Sequence, residues 1–125
     1  MNNLNIEKHL IKSREFLPRH LAQSLISHAS TGKIAVVTND PQTFMQSTKQ
    51  EWDELEEATD MPISFTAAAP QDLLDTGVTF ATLEDFLRIP PLCQTLYITH
   101  SVERQNLYML TSWMPPKSSV IIFEY

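Results

Sequence analysis

Apolar and polar positions change period along the chain, and each period predicts a different element. Residues 5–29 follow helical spacing in two parts. Ile6, Leu10, Ile11 and Leu17 form one stripe, and Leu21, Ala22, Leu25, Ile26 and Ala29 form a second. Pro18 disfavours helix at Leu17 and lacks an N–H, so a kink or a fresh start is expected between them. Ile34 to Val37 is an unbroken apolar run, as expected of a strand covered on both faces. It stops at Thr38-Asn39-Asp40-Pro41. Asp40 is placed to accept a bond from an orphan N–H of a following helix, and Pro41 suits its first turn. That helix is predicted over roughly 40–59, with Phe44, Thr48, Trp52, Leu55 and Thr59 on one face.

Beyond Met61-Pro62, residues 63–67 alternate as a strand with one apolar face. Residues 70–77 read as a helical turn ended by Gly77, and residues 78–80 as a short strand. Thr82 with Asp85 forms a capping-box variant for a short helix whose buried side is Leu83, Phe86 and Leu87, stopped by Pro90-Pro91. The runs 95–100, 107–113 and 119–125 are β-branched and aromatic, and short polar links separate them. That pattern predicts strands joined as an antiparallel meander, because parallel strands need long crossovers. Together these elements describe an α/β or α+β fold in one domain over residues 1–125. It has a helical N-terminal segment (1–31), strand-helix units (32–90) and a β-meander (91–125), with a mixed sheet of about five or six strands.

Composition narrows the function classes. The chain has 125 residues, 42% of them hydrophobic and 19% charged, which is the balance of a globular domain. Nine basic against fifteen acidic side chains leave a net charge of −6, so a broad phosphate-neutralising surface is disfavoured. Lys8, Lys12, Arg14 and Arg19 are the local exception. A single cysteine, Cys93, cannot form an internal disulfide, which fits a reducing compartment. The N-terminus lacks a basic start followed by an apolar core, and no apolar run approaches the roughly 20 residues of a membrane helix. The expectation is a cytoplasmic acidic protein with no membrane segment.

Chemistry is sparsely signalled. Gly32 and Gly77 are the only glycines, so neither a G-x-G-x-x-G turn nor a Walker loop can be written. Thr31-Gly32-Lys33 precedes a strand and lacks the upstream glycine, so Gly32 reads as a helix-ending residue. His20 and His28 are too far apart along a helix to share a metal, and the acidic residues lack an EF-hand register. No metal or cofactor is implied.

Two candidate ligand sites follow. Thr38, Asn39 and Asp40 lie where open α/β sheets bind ligands, beyond a strand's carboxyl end, although capping also accounts for Asn39 and Asp40. Cys93 and His100 form a nucleophile–base pair only if the chain folds back between them; otherwise Cys93 is a small buried hydrophobe. A third feature is the acidic face of the second helix, with Glu51, Asp53, Glu54, Glu56 and Glu57 near the negative end of the helix dipole. The leading expectation is a non-catalytic accessory or regulatory protein working through protein contacts, homodimerisation among them. Its contact surface is expected on the helix face at Glu51, Glu54 and Glu57, or on the last strand at Tyr125. The alternative is a small-ligand or nucleotide-binding domain with its site near Asp40.

Overall fold

The structure, a computed structural model, describes residues 4–28, 32–55, 63–67, 77–90 and 92–125. Its strands are β1 (Asn5–Leu10), β2 (Ile34–Val37), β3 (Phe65–Ala67), β4 (Val78–Ala81), β5 (Thr95–Ile98) and β6 (Ser119–Glu124). They form one six-stranded sheet in the order β1-β6-β5-β2-β4-β3, and every neighbouring pair is parallel. The helices are α1 (Leu17–His28), α2 (Pro41–Asp53), α3 (Leu83–Arg88) and α4 (Arg104–Thr111), and a 3₁₀ turn, Arg14–Phe16, leads into α1. Among the described residues no helix is long and apolar enough to cross a membrane.

The sheet divides two apolar layers. On one face Leu17, Leu21, Leu25 and Trp52 of α1 and α2 pack on Ile34, Val36, Phe80, Tyr97, Ile121 and Phe123. On the other, Phe86 of α3 and Leu110 of α4 pack with Ala35, Val37, Ala81, Leu96, Ile98 and Val120. All four residues of β2, β4 and β5 are buried, as parallel strands under helices on both faces require. Each fully buried leucine or phenylalanine contributes about 1.5–3 kcal/mol from removal of its surface from water. Aromatic contacts add geometry to the first layer: Tyr97 stacks on Phe123 with ring centroids 5.9 Å apart.

Local signals place several boundaries. Asp40 caps α2, its Oδ1 accepting from the Thr43 N–H at 3.4 Å with Pro41 in the first turn. Thr82 caps α3, its Oγ1 accepting from the Asp85 N–H at 3.2 Å. Gly32, just before β2, has φ +115°, and a Cβ there would lie 2.6 Å from Gln94 Oε1, which accepts from the Lys33 N–H.

Other expectations are corrected. Residues 5–10 form a strand, not a helix. Their apolar positions Ile6 and Leu10 fit both periods, and pairing with β6 decides between them, with Asn5 N–H donating to Ser118 O and Ile11 N–H to Glu124 O. Residues 107–111 lie in α4, not in a strand. Leu107, Leu110, Thr111 and Met114 turn inward at helical spacing, while Tyr108, Ser112 and Trp113 face out. The expected antiparallel meander is therefore a βαβ crossover from β5 through α4 to β6, and the sheet is wholly parallel rather than mixed. The last strand, β6, is interior, flanked by β1 and β5. α2 ends at Asp53. Glu56, Glu57, Thr59 and the 70–76 turn lie outside the described residues.

Candidate functional site

The connections leaving β1 and β2 cross one face of the sheet, and those leaving β4 and β5 cross the other. β2 and β5 are neighbours whose chains depart in opposite directions, which opens a crevice over their carboxyl ends. Thr38 and Asn39 follow β2 there, and Thr99 and His100 follow β5. Arg14 and Glu15 of the 3₁₀ turn and Ser47 of α2 complete the polar wall, enclosing about 270 Å³. Thr99 is held firmly, its Oγ1 donating to Val37 O at 2.7 Å. The Asp40 carboxylate is engaged at the α2 N-terminus as its cap.

His100 is the wall's most informative side chain. Nδ1 lies 3.1 Å from Ser101 O, a carbonyl that accepts, so Nδ1 carries the proton. Nε2 is then the free nitrogen, and it is buried without a hydrogen-bond partner. On a neutral ring this atom accepts a donor; on the imidazolium it donates to an anion. A buried polar atom left unpaired costs about 1–3 kcal/mol.

On the other side of His100 lies a second concavity of about 640 Å³. It is a trough between α4 and the β6-β1 end of the sheet, and Ile6, Val102, Leu107 and Ile122 give it an apolar floor. Lys8, Arg104 and Glu124 stand at its rim, and the Tyr125 hydroxyl donates to Thr99 O at 3.4 Å. Lys8 pairs with Glu124 at 3.7 Å, both ends well exposed. Among the described residues no helix covers β1 here, and Ile6 and Leu10 are 57% and 83% exposed.

The remaining candidate residues are dispersed. Cys93 is buried just before β5, whereas His100 lies beyond the strand's other end, so roughly 20 Å of extended chain separates them. Burial pushes the Cys93 thiol up to about 12, which keeps it protonated and unreactive. Glu54 is exposed at the α2 C-terminus and Glu51 is half-buried one turn earlier. The one ion pair on that stretch among the described residues joins Lys49 to Asp53 at 3.7 Å. Lys8, Arg14 and Arg19 lie on a strand, a turn and a helix, so no single helix gathers the basic residues. Among the described residues no three His, Cys, Asp or Glu side chains are grouped to share a metal ion.

Thr99, Ser47, Val102, Leu107 and Ile122 carry no local sequence signal for either concavity, since strand order alone brings them there. No protein-family model matches the chain, and no curated protein matches it.

Proposed function

We propose that this protein acts through protein contacts, as a non-catalytic accessory or regulatory component, and that its contact surface is the trough between α4 and β1. The observation that supports this most is the open apolar floor there, half-buried on the α4 side and exposed on β1. Ile6 on β1 stands beside Val102, Leu107 and Ile122, Leu10 follows on the same face of that strand at 83% exposure, and Tyr108 on α4 is 72% exposed one turn from Arg104 at the rim. Apolar side chains gathered on one open face, rimmed by charge, are characteristic of interaction surfaces, and tyrosine is favoured there. The surface includes Tyr125 and the end of the last strand, one of the two regions favoured by sequence alone. It uses the back of β6 and the edge beside it rather than the acidic face of α2.

The reading is tested by affinity capture from native extract, comparing the wild type with a Val102→Ser/Tyr108→Ser variant. The expected outcome is a stoichiometric partner, or a second copy of the chain, that the variant fails to retain. Identical binding by both proteins would overturn the trough as the contact surface.

A second reading rests on His100. The crevice over β2 and β5 sits at a topological switch point, and His100, whose Nε2 is unpaired, shares its wall with Arg14, Asn39 and Ser47. Its volume suits a compact polar metabolite with an acidic group rather than a whole nucleotide. The turn after β1 has no glycine to cradle a pyrophosphate. Native mass spectrometry of the purified protein tests this: a bound acid lost on His100→Ala supports it, and a ligand-free spectrum in both proteins removes it.

A further inference from the structure

Among the described residues β1 is an edge strand with one side unpaired, and its geometry specifies what fits there. The backbone bonds from Asn5 and Ile11 to β6 place the odd-numbered residues' N–H and C=O groups toward that neighbour. Groups on alternate residues point to opposite sides of a strand, so those of Ile6, Lys8 and Leu10 face the open edge. The same alternation sorts the side chains. His9 packs edge-on against Phe123, with centroids 5.6 Å apart, on the α1 face, and Glu7 Oε2 is 3.2 Å from His9 Nε2 beside it. Ile6, Lys8 and Leu10 share the trough face.

We propose that the occupant of this edge is β1 of a second copy of this chain, paired antiparallel about a two-fold axis at Lys8. The inference rests on the contact reading above and names its partner. In this register Ile6 lies opposite the partner's Leu10 and Leu10 opposite the partner's Ile6. Lys8 lies opposite the partner's Lys8. All three are residues whose backbone groups face the open edge, so each pair exchanges N–H···O=C bonds in both directions.

Side-chain chemistry selects this register over the adjacent one. Here the two most exposed aliphatic residues of β1 cover each other twice on the trough face. On the opposite face Glu7 meets the partner's His9, placing a carboxylate against an imidazole. A shift by two residues would set Glu7 against the partner's Glu7 and cover Ile6 with a lysine instead of a leucine. The lysines at the proposed axis each have a carboxylate on the trough face, Glu124 at 3.7 Å, which offsets their mutual repulsion. The dimer therefore joins the β1 edges of the two protomers into one continuous sheet with β3 at each end, and extends each trough floor with the partner's Leu10.

Sedimentation equilibrium of the full chain at high micromolar concentration is the first test, with Leu10→Lys beside the wild type. Leu10 is 83% exposed, so its replacement leaves the isolated fold intact while placing a charge opposite Ile6. A wild-type dimer whose dissociation constant rises at least about tenfold in Leu10→Lys is the expected result. Lys8→Cys reads the register directly. Hydrogen-bonded antiparallel pairs hold Cα atoms about 5.5 Å apart, within disulfide range, so mild oxidation should cross-link Lys8→Cys and leave Asn5→Cys unlinked. Cys93 is buried and does not compete.

A wild-type monomer overturns the inference, as does a dimer indifferent to Leu10→Lys or without the Lys8→Cys cross-link. Failure of the broader contact reading is distinguishable. A monomer that still captures another protein through Val102 and Tyr108 loses only the second-copy inference, whereas a monomer with no Val102/Tyr108-dependent partner loses both.

Discussion

Single side chains decide where elements begin and what the interior tolerates. Asp40 satisfies an orphan N–H at the start of α2, so Asp40→Ala should lower stability by about 1 kcal/mol in urea denaturation while leaving oligomeric state unchanged. Cys93 and Tyr97 show a different effect. Burial raises both above their ordinary values, Cys93 to about 12, although the Ser24 hydroxyl at 2.9 Å partly relieves Tyr97. The folded chain thus holds these protons more tightly than the unfolded chain, which releases them first as pH climbs past about 9. Stability from both groups is complete below that pH and is lost as pH rises toward 12. Urea midpoints measured at pH about 8 and about 10.5 should fall, and Cys93→Ala should fall less steeply than the wild type. Thiol reagents should label Cys93 only on unfolding.

At the scale of elements, α4 and β1 show how neighbours override local preference. Residues 107–113 are rich in leucine, tyrosine and tryptophan, a composition shared by strands and by helices that pack on a sheet. The informative signal was spacing: Leu107, Leu110, Thr111 and Met114 form the inward stripe of a helix, visible beneath the aromatic composition. Leu110 is fully buried against the sheet, and Leu110→Ala should cost about 2–5 kcal/mol in chemical denaturation. A loss below about 1 kcal/mol would mean that α4 does not seal this layer. β1 offered less to read. Its six residues alternate too briefly to separate strand from helix, and its ladder partner is remote in sequence, paired through residues 119–124.

For the whole molecule, strand order creates both concavities. The crevice over β2 and β5 exists because their helices leave on opposite faces, and the trough exists because no helix among the described residues covers β1. Amide hydrogen exchange by NMR maps the consequence. Glu7 and His9, bonded to β6, should be protected at every concentration. Ile6, Lys8 and Leu10 should exchange quickly in dilute protein and become protected as concentration rises. Concentration-independent protection of the even residues would show that something within the chain already covers this edge.

What the sequence determined by itself was local. The caps at Asp40 and Thr82, the buried run Ile34–Val37 and the α2 stripe of Phe44, Thr48 and Trp52 each depend on residues a few positions apart, and all were legible. Strand direction, strand order and the location of both candidate sites depended on contacts between segments far apart in the chain. Short links between the last three β-like runs suggested hairpins, yet the middle run coils into α4 and shortens the path enough for a parallel return. That exchange of helix for strand is what placed β6 inside the sheet, left β1 at its edge, and brought His100 between the crevice and the trough. Local propensity could not choose it, because the favourable terms were burial of Leu110 and the β1–β6 ladder, and both exist only once the sheet has formed.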